Sequence, residues 1–198
     1  IEGIGALLYM TVFTPDFGPK GIWISIFTSV SAFCNAGIDI IAENSLCDYA
    51  LNPMVNTVTC LLIVIGGIGY IVWWDIIRVI KNIRQNKRKI FRNLTLHSKI
   101  AIISTLLLII VGAILVFILE YDNPQTLKDY TLLQKIEVSF FQSVTTRTAG
   151  FATLPQENLT NATAVVCLLL MFIGGSPVGT AGGIKTVTFA VIIASAWA

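Results

Sequence analysis

The chain has 198 residues, of which 55% are hydrophobic and only 12% charged, with a mean hydropathy of +0.80. That excludes a water-soluble globular domain, in which roughly 25% of residues are charged. The formal net charge of +2 hides an asymmetry, because eight of the thirteen Lys and Arg residues lie within residues 78–99. The apolar residues come in blocks close to the ~20 that a helix needs to cross a bilayer, so the expected class is an all-α integral membrane protein. Cys34, Cys47, Cys60 and Cys167 have no CxxC spacing and argue for neither a metal site nor a redox motif. The chain opens with Ile1, Glu2 and an apolar run instead of a cleavable leader, and it reads as a piece that begins and ends inside helices.

Residues 3–14 are uncharged but too short to span, and read as the second half of a transmembrane helix that Pro15 and Gly18 end. Residues 22–38 are also uncharged. Thr28, Ser29, Ser31, Asn35 and Gly37 make their second half too polar for lipid, so a re-entrant pore helix and loop is expected over residues 22–39. Asp39, Glu43 and Asp48 follow, either concentrating cations at an outer mouth or serving as ordinary solvated acids. Residues 54–74 carry no charge and run into Trp73, Trp74, Asp75 and Arg78, which predicts a spanning second helix over 54–77 with an interfacial belt. The basic stretch 78–99 contains no acid and is placed in the cytoplasm by the positive-inside rule.

A spanning helix over residues 100–119 is closed by Glu120, Asp122 and Pro124. Residues 132–151 read as a second pore helix and loop. Residues 162–198 read as a broken second helix, because Gly174, Gly175, Ser176, Pro177, Val178, Gly179, Thr180, Ala181, Gly182 and Gly183 cannot continue as helix. The expected organisation is a unit over 1–77, a linker over 78–99 and a unit over 100–198.

The two units repeat one another. Ser29-Val30-Ser31 followed by Ala36-Gly37-Ile38 corresponds to Ser143-Val144-Thr145 followed by Ala149-Gly150-Phe151, and Leu61 through Gly67 matches Leu169 through Gly175 in the same order. Both copies keep one orientation, so the repeat is parallel. Non-helical backbone at membrane depth survives only when packed in protein or lining water, so two such loops point to an aqueous path. Backbone carbonyls can replace the hydration shell of a potassium ion, glycine permits the angles that aim them, and the negative end of each half-helix favours cations.

The runs Ser29 through Gly37, Gln142 through Phe151, and Gly174 through Thr186 resemble the Trk/Ktr/HKT potassium transporter superfamily, most closely its bacterial Ktr membrane subunits. The resemblance implies one pore built from four helix–loop–helix units, of which this chain supplies the end of the second through most of the third. It implies a filter at Asn35, Ala36, Gly37 and Ile38 and at Thr148, Ala149, Gly150 and Phe151, with K⁺ held at the Gly37 and Gly150 backbone, and a gate at residues 174–183 with Lys185. It further implies K⁺ as transported ion with Na⁺ as a coupling or activating ion, a homodimer in the plasma membrane, and control by a cytoplasmic ring of nucleotide-binding subunits. Cys34, Ile38 and Val178-Gly179 depart from the residues that this family leads one to expect.

Other residues leave alternatives open. Arg147 either meets ions or ties down pore-loop carbonyls, the latter being electrostatically easier. Lys185 either holds the gate, meets the partner or snorkels to the interface. The basic linker serves topology, anionic lipid or an acidic regulatory ring; nucleic acid is disfavoured because a single aromatic, Phe91, accompanies the charges. An enzyme lacks carboxylate pairs, a His cluster or an activated nucleophile within a span. A secondary carrier with a substrate site at 174–183 would call for inverted repeats.

Overall fold

A computed structural model describes residues 1–42, 44–82 and 90–196. Among them all regular structure is helical: α1 Glu2–Phe17, α2 Pro19–Phe33, α3 Pro53–Gly67, α4 Tyr70–Lys81, α5 Ile90–Asn93, α6 Leu96–Glu120, α7 Leu132–Thr145, α8 Asn161–Phe172 and α9 Thr186–Ala196. Helix α6, at 25 residues about 37 Å long by helical rise, is the one described helix long and apolar enough to cross a bilayer unaided. Its Ile103, Leu106, Leu107, Ile110 and Ile114 are exposed, an apolar stripe suited to lipid tails.

The two short helices are hairpin partners of the helices before them. Gly18, at φ 60°, turns α1 directly into α2, and Pro19 opens the new helix where its missing N–H costs nothing. A side chain at Gly21 would collide with the Phe13 carbonyl, so the hairpin closes backbone to backbone. Pro15 does not end α1 as expected; the helix runs through it to Phe17, and the stop is the positive φ of Gly18. Helix α2 has 15 residues and α7 has 14, each about 21–23 Å long at 1.5 Å per residue, short of the ~30 Å hydrocarbon core.

One packing triad occurs twice. Ser29 Oγ donates to the Glu2 carbonyl at 2.7 Å, and Ser143 Oγ donates to the Ile109 carbonyl at 2.8 Å. Gly5 and Gly112 make room for these serines. A Cβ on Gly5 would lie 2.8 Å from Leu62 and one on Gly112 would lie 2.8 Å from Leu170, and both would press on the serine hydroxyls. Above the first triad, Tyr9 stacks on Phe13 at 5.4 Å and shares a 2.6 Å hydrogen bond with Thr59, filling the space between α1 and α3.

The expected continuous helix over 54–77 is instead broken. Helix α3 stops at Gly67, α4 starts at Tyr70, and their axes differ by 92°. The cause is local: Gly69 adopts φ 86°, and a side chain there would strike the Pro177 carbonyl of the segment packed beneath it. In the second apolar run, residues 173–185 separate α8 from α9. Residues 83–89 of the basic linker, and Glu43, lie outside the described residues.

Gly66 is the position at which α3 touches the end of α2, since a Cβ there would overlap the Phe33 carbonyl. Gly66→Ala in the full-length protein is therefore expected to destabilise it by about 1–3 kcal/mol, read as a lowered thermal midpoint in detergent. Gly3→Ala, in open space, serves as the control and should not move that midpoint.

Candidate ion pathway

Helices α2 and α7 each run out into a loop with the same backbone signature. A non-glycine residue at positive φ is followed two residues later by a glycine at positive φ: Asn35 (51°) and Gly37 (63°) in one loop, Thr148 (73°) and Gly150 (100°) in the other. Asparagine tolerates this region; a β-branched threonine does so at a cost of order 1–3 kcal/mol. In each loop a hydroxyl from the last turn of the half-helix then pins a later carbonyl. Ser31 Oγ donates to Ile38 O at 2.5 Å and Thr145 Oγ1 donates to Phe151 O at 2.6 Å.

That pinning divides the expected filter residues. The carbonyls of Ile38 and Phe151 are engaged by protein hydroxyls, whereas those of Asn35, Ala36, Gly37, Thr148, Ala149 and Gly150 accept no hydrogen bond from the described residues. The two loops also touch. A Cβ on Gly37 would lie 2.6 Å from Gly150 Cα and collide with Ala149 O, and one on Gly150 would lie 3.2 Å from Gly37 Cα. Ala36 and Gly150 are exposed, while Ala149 and Phe151 are buried.

Below the loops, residues 173–185 fold against the break between α3 and α4. The carbonyls that α3 leaves free are taken up there: Ser176 N donates to Gly67 O at 2.9 Å and Thr180 N to Gly66 O at 3.3 Å, while Tyr70 N donates to Val178 O at 3.3 Å. The ends of the segment are drawn together by Ile184 N donating to Phe172 O and Thr186 N to Gly175 O. Val178, at the tip, is another β-branched residue at positive φ, 60°. The segment also reaches both loops. Asn35 Nδ2 donates to Thr180 Oγ1 at 2.6 Å, Thr180 Oγ1 donates to Phe33 O at 3.0 Å, and Gly182 N donates to Thr148 Oγ1 at 2.9 Å.

Arg147 is buried and does not tie down pore-loop carbonyls as the sequence suggested. Its Nη2 donates to Gly174 O at 3.1 Å and its Nη1 to Thr105 O of α6 at 3.5 Å, so it anchors the start of the segment beneath the loops. The reason is position: Arg147 precedes the left-handed residue, so its side chain packs with the segment below, away from the loop's free carbonyls. Lys185 Nζ donates to Ala181 O at 2.6 Å, closing the other end.

On the opposite side, Leu46 N donates to Ala152 O at 2.9 Å and Ala152 N to Ser45 Oγ at 3.3 Å, lacing the long loop after the first half-helix to the second. Burial, then Asp48, Glu157 and Asp39, push the Cys47 thiol up from its ordinary range. Glu157 thereby joins Asp39 and Asp48, two of the acids singled out in the sequence, around Cys47. The sequence reading missed three working residues: Gly69, Thr180 as a contact to the loops, and Glu120, whose buried carboxylate accepts from Thr160 N, Thr160 Oγ1 and Thr126 Oγ1 to fix the start of α8. The match of Gly66-Gly67 to Gly174-Gly175 was the available signal for the first.

The family model described as TrkH, cation transport protein, matches residues 8–197. The "Potassium/sodium uptake protein NtpJ" of Enterococcus hirae is 41% identical over 194 residues, covering 98% of this chain and 41% of that protein. The "Ktr system potassium uptake protein B" of Bacillus subtilis is 41% identical over 196 residues, covering 98% of this chain and 42% of its own length. The chain therefore spans about two-fifths of the relatives that it matches. The crystal structure of the potassium transporter TrkH from Vibrio parahaemolyticus superposes with a TM-score of 0.69 at 18% identity, over 97% of this chain and 37% of that one, and so shares its fold. With a family model matched across almost its whole length, this chain, helical in all the regular structure of its described residues, belongs to the TrkH cation transport proteins.

Proposed function

We propose that the chain forms two adjacent quarters of a potassium-conducting pore, with residues 1–77 and 100–198 as units joined by the linker 78–99. The observation that carries this is the pair of touching loops, each with three consecutive carbonyls, at Asn35–Gly37 and Thr148–Gly150, that accept no hydrogen bond from the described residues. A dehydrated potassium ion needs such oxygens. The two half-helices end at these loops, so their negative dipole ends add to the attraction. Ile38 and Phe151 act one step back, as pinned residues that shape the loops. The relatives' names, potassium uptake for one and potassium/sodium uptake for the other, agree with K⁺ as cargo and with Na⁺ as a second ion.

In this reading the remaining quarters come from the rest of the full-length protein, two such proteins pair in the plasma membrane, and a cytoplasmic nucleotide-binding ring controls them. Residues 174–183 with Lys185 are the gate, lying directly beneath the loops. A carrier site at 174–183 is less well supported, since the two loops repeat in parallel and not inverted.

Gly37→Ala and Gly150→Ala each place a Cβ at positive φ beside the neighbouring loop. Both should abolish K⁺ uptake in a transport-deficient cell, at least tenfold, while the protein still reaches the membrane; normal uptake by both would refute the filter assignment. Removing residues 178–181 from the full-length protein should raise K⁺ flux if the segment is a gate, and a well-expressed deletion that conducts no better than the parent overturns that role. For topology, single cysteines at Asn44 and Asn82 in a cysteine-free background are expected to react with an impermeant maleimide from opposite faces, Asn82 from the cytoplasm.

A further inference from the structure

We propose that Asn35 and Thr148 are clasps that hold the gate segment against the filter, so that opening the gate and relaxing the filter are a single event. This rests on the reading of residues 174–183 as a gate, and goes beyond it by naming what holds it shut. The two residues occupy equivalent places in the two loops, each two positions before the filter glycine and each at positive φ. Glycine would be the unstrained choice at either position. What a side chain adds at both is a polar atom bonded to the same short stretch of the segment below: Asn35 to Thr180 and Thr148 to Gly182. Residues 180 and 182 therefore bridge two filter loops that the sequence separates by more than a hundred residues.

The directions of these hydrogen bonds are fixed. The Thr180 hydroxyl gives its hydrogen to Phe33 O, the last carbonyl of the first half-helix, so it can only accept from Asn35, which sets the amide with Nδ2 toward the gate. Moving residue 180 out of the path breaks this relay and frees a carbonyl at the helix end together with the filter-loop amide.

The segment is tied at its ends, and at its tip by Tyr70 N to Val178 O and Thr180 N to Gly66 O, which must also give way when the tip moves. Its ends are tied by Arg147 to Gly174 O, by Lys185 to Ala181 O and by the pairing of Ile184 N with Phe172 O. The tip carries Val178 in a backbone conformation that a β-branched residue adopts under strain. Thr148 carries the same kind of strain on the other side of the clasp. Closed, the arrangement is strained at both residues and held by the hydrogen bonds. Because filter and gate share these residues, whatever biases one biases the other by the same factor: ion occupancy of the loops shifts the gate, and gate position shifts ion preference.

The test uses the full-length protein alone in proteoliposomes, with K⁺ and Na⁺ influx measured on the same preparation. Thr180→Val keeps the shape and removes both hydrogen bonds of the hydroxyl. It should raise K⁺ influx about tenfold and shift the K⁺/Na⁺ influx ratio by severalfold, although residue 180 is outside the filter. Asn35→Ala added to Thr180→Val should raise influx no further, because the two break one bond. Thr148→Ala should act in the same direction, with Thr148→Ser, which keeps the hydroxyl, restoring the closed behaviour; should Thr148→Ala fail to reach the membrane, Thr180→Val decides alone. If the deletion of 178–181 raises influx and Thr180→Val does not, the clasps are refuted and the gate stands. If neither raises influx, the gate reading itself fails. Raised influx with an unchanged ion ratio also overturns the proposal, since the segment would then be latched without involving the filter.

Discussion

The constraint on which the rest depends is that backbone polar groups freed at membrane depth must be bonded inside the protein. Two helices are interrupted, between Gly67 and Tyr70 and between Phe172 and Thr186, and either break alone would strand several amides and carbonyls at a cost of several kcal/mol each. Packed together they supply one another: carbonyls of Gly66 and Gly67 accept from Thr180 and Ser176, and the carbonyl of Val178 accepts from Tyr70. Each break is thus the condition for the other. The glycines follow from that closeness, since Gly69 lies against Pro177 O and Gly179 against Gly67 O, where no Cβ fits.

A second consequence is that a parallel repeat supports unequal jobs. The triads of Gly5, Ser29 and Leu62 and of Gly112, Ser143 and Leu170 are alike in geometry, and the loops share their sequence of positive φ values and pinned carbonyls. Equivalent loops can therefore present equivalent oxygens to an ion. The second helices differ: one break is a sharp corner of two residues, Ile68 and Gly69, and the other is a segment of residues 173–185. The longer one folds under both loops because the shorter one leaves it a floor to bond to.

Much of this was legible in the sequence. The half-helices, the loops and the glycine-rich interruption could be read because polar and glycine-rich stretches stand out inside uncharged runs. The break at Gly67–Gly69 could not be read from composition, since the apolar run continues unbroken through Ile68 to Trp74; only the alignment of Gly66-Gly67 with Gly174-Gly175 carried it. The hydroxyl pins on Ile38 and Phe151 were hidden for a different reason. Ser31 and Thr145 are seven and six residues from the carbonyls that they bond, and no periodicity marks a contact across the end of a helix. The direction of Arg147 depended on the left-handed turn at Thr148, a backbone feature that a threonine gives no cause to expect.

Arg147 also bears on why a buried guanidinium is tolerated beside the proposed cation path. An unpaired charge in such a place would both resist burial and repel the ion. Its Nη1 and Nη2 donate to the Thr105 and Gly174 carbonyls, which disperses the charge over two dipoles and seats the group behind and below the loops. On the opposite side of the loops, burial and then Asp48, Glu157 and Asp39 raise the Cys47 thiol pKa, so these three acids stand close together there. Between them lie free carbonyls and the negative ends of two half-helices. In the proposed pore, the loop carbonyls and half-helix ends would favour a cation at the loops, while the Arg147 charge sits behind them, bonded to the start of the segment proposed as the gate.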